Sequence, residues 1–115
     1  MSEYVIELSF SKIVIAMSDV GNDKLVMVSG GDKPHIGCAV VAFPRPSLTG
    51  DGTVSATSSV INVVGHKDEA ICRAIAEKIA SKYDCVVTCT GGFHVDNITP
   101  DQLQEIRLKL DAFFL

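Results

Sequence analysis

The sequence predicts an α+β domain: a single, mainly antiparallel sheet with two helices on one face, in the order β-β-β-β-α-β-α. Three observations carry this prediction. Apolar and polar residues follow a β pattern from Tyr4 to Val64, a helical period takes over after Gly65, and a short β-branched run separates two helical stretches. At 115 residues the chain is long enough for one ordinary core and too short for two, so residues 1–115 form a single domain.

The elements follow in order. Residues 4–11 alternate, with Tyr4, Ile6, Leu8 and Phe10 on one face, and residues 12–18 continue the same strand past a bulge. Gly21-Asn22-Asp23 is a turn, from which residues 24–29 return as a hairpin partner before Gly30 and Gly31 break the strand. Residues 37–43 suit a buried strand, ended by Pro44 and Pro46, which cannot donate to a ladder. After a loop at residues 48–52, the Ser/Thr/Val-rich run 54–64 reads as a strand with one face against something wet. Ala70, Ile71, Ala74, Ile75, Ile79 and Tyr83 recur at helical spacing, predicting a helix over residues 67–82. Residues 84–90 form a central strand. A second helix starts at Thr99-Pro100-Asp101-Gln102, with Thr99 as N-cap, Pro100 at the first helical position and Gln102 completing a capping box. Its stripe is Leu103, Ile106, Leu110 and Phe113, and the apolar tail 112–115 is suited to docking on this chain or on a partner. Two helices on one face leave the other face of the sheet to be covered by dimerisation or a ligand.

Composition excludes several classes. A net charge of −4 and a pI near 5.2, with the ten basic residues scattered, argue against a nucleic-acid surface. Aromatic content of 6% without Trp argues against a base-stacking platform. No apolar run approaches the ~20 residues that span a bilayer. Cys38, Cys72, Cys85 and Cys89 show no C-x-x-C spacing, and Met1-Ser2-Glu3-Tyr4 does not begin a signal peptide, so a cytoplasmic protein without membrane contact is expected.

Three histidines lie in polar, glycine-marked segments beside predicted strands: His35 in residues 30–37, His66 in 65–69 and His94 in 91–97. Converging, they would make a zinc or iron site with Asp96 nearby, and a small metal-dependent enzyme is one alternative, although no ligand spacing supports it. No serine or cysteine sits in a nucleophile motif, and Asp68, Glu69 and Asp96 read as solvated or capping. Anion binding has the firmer basis. Gly30-Gly31 can form a backbone nest with Lys33 and His35 as donors. His66 and Lys67 precede or open a helix whose N-terminal N–H groups attract anions. Arg45, between two prolines, is held on a stiff segment suited to a phosphate.

Residues 30–37 (Gly-Gly-Asp-Lys-Pro-His-Ile-Gly), 44–47 (Pro-Arg-Pro-Ser), 55–60 (Ser-Ala-Thr-Ser-Ser-Val), 65–69 (Gly-His-Lys-Asp-Glu) and 91–99 (Gly-Gly-Phe-His-Val-Asp-Asn-Ile-Thr) carry a further signal. Over residues 29–99 the chain resembles the prenylated-flavin chaperone family, the small "D" accessory proteins of gallate-type aromatic-acid decarboxylases. The resemblance implies a fold similar to proteasome-assembly chaperones and pairing as a homodimer. It also implies a non-catalytic role: holding prenylated FMN, or FMN itself, for delivery to a UbiD-type decarboxylase. By that analogy Lys33, His35 and Arg45 meet the phosphate, His66, Lys67, His94 and Asp96 line the rest, and Ser47, on the segment of Arg45, is a further cofactor-binding residue. Phe43 and Phe93 are the only aromatics available there for stacking. The alternative on the same fold is an assembly chaperone or protein-interaction module that uses no flavin.

Overall fold

The computed structural model describes residues 1–63 and 66–113, the side chains of His66 and Lys67 excepted. Gly65 and the last two residues of the apolar tail, Phe114 and Leu115, therefore lie outside the described residues. The strands are β1 (Ser2–Glu7), β2 (Lys12–Val20), β3 (Asp23–Gly31), β4 (Cys38–Pro46), β5 (Val54–Asn62) and β6 (Val87–His94). The helices are α1 (His66–Tyr83), between β5 and β6, and α2 (Pro100–Ala112), after β6. One six-stranded sheet has the spatial order β1-β2-β3-β6-β4-β5, antiparallel throughout except for the parallel pair β3 and β6.

The class and the helical half agree with expectation, and one strand is added. Residues 4–18 are a hairpin and not one bulged strand: β1 pairs with β2 from Ser2↔Met17 to Glu7↔Lys12, closed by the Leu8 N–H donating to the Ser11 carbonyl at 2.9 Å. β4 runs through both prolines. Past Ala42 it has left β6 and pairs with β5 alone, so one of its edges carries no ladder and tolerates residues without N–H. β3 and β6 likewise run through their glycine doublets, in register Val28↔Gly91 to Gly31↔His94.

The core lies between the sheet and the helices. Ile13 and Ile15 of β2, Val26 of β3, Ala42 of β4, and Val87 and Cys89 of β6 are fully buried, as are Ile75, Ala76, Ile79 and Ala80 of α1, which packs over β4, β5 and β6. The buried stripe of α1 is rotated slightly from that expected: Ala70 is exposed and Ala74 half-buried, while Cys72, Ala76 and Ala80 point inward. Small residues there let α1 lie close on the sheet. Ser58 of β5 donates to Glu77 of α1 at 2.5 Å, so a polar position of β5 serves the helix. α2 begins as its sequence dictates: Thr99 accepts from the Gln102 N–H, and the Gln102 side chain accepts from the Thr99 N–H. At its other end Lys78 donates to the carbonyls of Leu110, Asp111 and Phe113, a cation on the negative end of the helix. Ile106 and Leu110 are buried, whereas Leu103 stays 41% exposed.

The face of the sheet away from the helices has no layer over it. Val5, Leu25, Met27, Val41 and Phe43 each leave roughly two-fifths of their surface exposed there, and Ile61 leaves 74%.

Candidate functional site

The parallel pair β3 and β6 ends at Gly31 and His94, just beyond the start of β4, whose first residue, Cys38, lies opposite Gly91. The loop from Asp32 to Gly37 crosses this end and is tied to it twice. The Asp32 N–H donates to the His94 carbonyl at 2.6 Å, and the Gly37 N–H donates to the Gly91 carbonyl at 2.8 Å. Past Gly91, β6 has no β4 residue opposite it, which would leave the Phe93 N–H without a ladder partner. Asp68, in the first turn of α1, fills that gap: one carboxylate oxygen accepts from the Phe93 N–H at 2.7 Å and the other meets His35 Nε2 at 2.8 Å. Asp68 is only 5% exposed, so its two partners carry the cost of burying a carboxylate.

His35 is thereby fixed. Its Nδ1 lies 2.9 Å from the Lys33 carbonyl and its Nε2 faces Asp68, so both ring nitrogens point at acceptors. Only the imidazolium can donate to both. The Lys33 carbonyl first, and then Asp68, accordingly raise the His35 pKa above its ordinary value. Close packing demands glycine on both sides of this pair. A Cβ on Gly37 would lie 2.0 Å from an Asp68 carboxylate oxygen, and one on Gly92 would lie 2.9 Å from the His35 ring and 2.8 Å from its carbonyl.

Beside this pair is a second cluster. The His94 ring sits edge-on to His35, with centroids 6.5 Å apart. Its Nε2 is 2.8 Å from Asp96 Oδ1, which also lies 3.6 Å from Lys33 Nζ. Two donors thus converge on one carboxylate oxygen, and His94 followed by Lys33 lowers the Asp96 pKa. Lys33, His94 and Asp96 are all about half exposed or more. A small hollow of about 310 Å³ opens on the helix-free face next to His35, with Ile36 at its rim.

Lys33, His35, His94 and Asp96 therefore come together as one corner. Arg45 and Ser47 do not join them within the chain. Cys38 is level with Gly91, and Arg45 lies seven residues further along β4, ~23 Å away at strand rise. There Arg45 Nε donates to Thr57 at 2.7 Å, beside a separate open groove of about 510 Å³ that includes Ser47, Gly50, Gly52 and Asp84. His66 and Lys67 begin α1, just before Asp68, with side chains outside the described residues. Phe93 is in the core, 4% exposed and edge-on to Phe10, and so is not a stacking surface; Phe43 lies toward the Arg45 end.

His35 is not free to ligate a metal, since both its ring nitrogens are engaged with protein acceptors; among the described residues, which do not include the His66 side chain, no group of three His, Cys, Asp or Glu side chains could hold a metal ion. All four cysteines are buried and unpaired. Burial, followed by the neighbouring Cys72, pushes the Cys38 thiol up to about 12, which makes it a poor nucleophile.

Asp68 is the site residue that sequence reasoning treated as a mere cap. Its signal was present: positions 68, 71, 72 and 75 share one helix face, and the last three are buried apolar residues. A carboxylate on that stripe has to be partnered inside the protein.

The family model for the prenylated flavin chaperone LpdD-like domain matches residues 9–114. The chain belongs to this family. The match extends the resemblance read from residues 29–99 back to the β1–β2 turn and forward through α2. Protein LpdD of Lactiplantibacillus plantarum is 30% identical over 105 residues, spanning 90% of this chain and 72% of LpdD. A chain from the crystal structure of a chaperone complex for yeast 20S proteasome assembly superposes with a TM-score of 0.52 at 15% identity, covering 96% of this chain and 88% of that one. At that identity the likeness shows the fold alone, and the fold is the one expected. Among the described residues no helix is long and apolar enough to cross a membrane.

Proposed function

We propose that this LpdD-like chain is a non-catalytic carrier, working as a homodimer, that holds prenylated FMN or a related flavin and delivers it to a UbiD-type aromatic-acid decarboxylase. One observation supports this reading: a corner where Lys33 and His94 converge on a carboxylate oxygen adjoins a largely apolar hollow on an uncovered sheet face. The corner already demonstrates the chemistry on its own carboxylate, because Lys33 and His94 converge on Asp96 Oδ1. A phosphate oxygen presented to the same two donors would gain charge-assisted bonds as Asp96 swings aside into water. His35, whose pKa is raised by the Lys33 carbonyl and then by Asp68, adds positive potential when protonated. His66 and Lys67, which open α1 just before Asp68, are proposed as further cofactor-binding residues. Arg45 and Ser47 offer a separate anchor at the far end of the sheet, within reach of the same ligand only across two copies.

The flavin, when bound, supplies the redox and covalent chemistry that the decarboxylase needs. This chain's residues hold it and exclude water. A second copy packed on the helix-free face would cover Met27, Val41 and Ile61 and close the hollow against solvent. Four buried free thiols suit a reducing cytoplasm.

The test is transfer. Carrier loaded with prenylated FMN should activate cofactor-free decarboxylase anaerobically faster than the same concentration of free cofactor; equal rates would contradict delivery. An open apolar groove of about 640 Å³ between α1 and α2, lined by Ala70, Leu103 and Arg107, favours a second reading as a protein-interaction module. In that case a complex with the enzyme would form equally well with and without flavin.

A further inference from the structure

Flavin carriers face a discrimination problem: plain FMN differs from prenylated FMN only by an isoprenoid-derived ring, and both carry the same phosphate. A phosphate corner cannot separate them. The hollow beside it can. It is bounded by Val14 and Ala16 of β2, Met27 and Ser29 of β3, and His35 and Ile36 of the loop that follows β3. Glu3 and Thr90 put polar groups at its edge, while most of its wall is apolar, and its volume of about 310 Å³ is at the bottom of the range for ligand pockets, too small to enclose a whole flavin mononucleotide. It suits one apolar ring system.

The walls suit such a ring chemically as well. Val14 and Ala16 are half-buried and Met27 is 43% exposed, so an apolar group placed on them removes hydrocarbon from water on both partners. Methionine adapts to an irregular ring without a fixed shape. The position of the hollow is set by structure already described. The loop carrying Ile36 is pinned by the His35–Asp68 pair and by the Gly37–Gly91 hydrogen bond, so the wall it forms is preorganised.

We propose that this hollow is the selectivity site of the carrier: it takes the isoprenoid-derived ring of the ligand, and Ala16 and Met27 are the residues that make the chain prefer prenylated over plain FMN. The inference rests on the flavin-carrier reading. Binding uses no covalent step; selectivity comes from contact with the apolar part of the wall.

The experiment is a parallel anaerobic titration of the full chain with prenylated FMN and with plain FMN, repeated on Ala16→Leu, which fills the hollow, and on Met27→Ala, which removes a wall. Both positions face away from the core, and unchanged circular dichroism and melting temperature verify the fold. The native chain should prefer the prenylated ligand by about tenfold or more, the scale set by a few buried methylene-sized groups. Each variant should lose most of that preference while its affinity for plain FMN stays within about twofold. Equal native affinity for the two ligands, or variants that weaken both alike, would overturn the selectivity site and leave the carrier reading standing. Absence of binding to either ligand would overturn the carrier reading and this inference with it.

Discussion

Asp68 is the residue on which the corner depends. It supplies the acceptor that β4 does not give the Phe93 N–H, and, after the Lys33 carbonyl, it favours the charged form of His35. Asp68→Ala strands that N–H in a buried place, and a chemical denaturation curve should show a loss of about 1–3 kcal/mol. The pH dependence has a defined sign. The His35 pKa is raised in the folded protein, so the native state binds the extra proton above the ordinary histidine value of ~6.5. The stabilisation is therefore complete below that value and is lost as pH rises through the folded-state pKa. His35→Gln should flatten this part of the stability profile, as read by urea midpoints from pH 6 upward. A profile identical to that of the native chain would mean that His35 is not held charged.

The elements that matter are β3, β6 and the loop joining β3 to β4. Gly92 faces the His35 ring at a distance no side chain can share, so Gly92→Ala should lift the loop off the sheet and leave the core intact. Hydrogen exchange should accelerate at Asp32 and Gly37, whose N–H groups bond to β6, while the amides of α1 stay protected. Uniform acceleration would instead indicate global destabilisation. These glycines also show where sequence reading stopped. Gly30-Gly31 and Gly91-Gly92 look like strand breakers in one dimension, because glycine marks turns. In the fold the doublets lie side by side in parallel strands, one freeing the Gly31 position against His94 and the other freeing room for His35. The missed β1–β2 turn has the opposite cause: Leu8 to Ser11 contains no Gly, Pro, Asn or Asp, and the apolar alternation runs through it. The capping box of α2 was fully legible, since it is local and written in side chains that bond to their own backbone.

Across the whole molecule, local pattern singled out candidate residues but did not say which of them meet. Lys33 and His35 were grouped with Arg45 because all three sit in unusual loops; the antiparallel run of β4 carries Arg45 to the far end of the sheet. The uncovered face was legible from element order, because two helices cannot cover both sides of one sheet. If that face pairs with a second copy, Val41→Glu, a surface change in the single chain, should yield monomers in light scattering without lowering helical content. Dimers of unchanged stability would place the interface elsewhere.

The most direct measurement is an anaerobic calorimetric titration of the native chain and of Lys33→Ala with prenylated FMN. The carrier reading predicts micromolar or tighter binding at one ligand per chain. It also predicts about a tenfold or greater loss in the variant, the scale of one charge-assisted bond. Saturable binding that Lys33→Ala leaves unchanged would move the site away from this corner, and no binding at all would contradict the carrier.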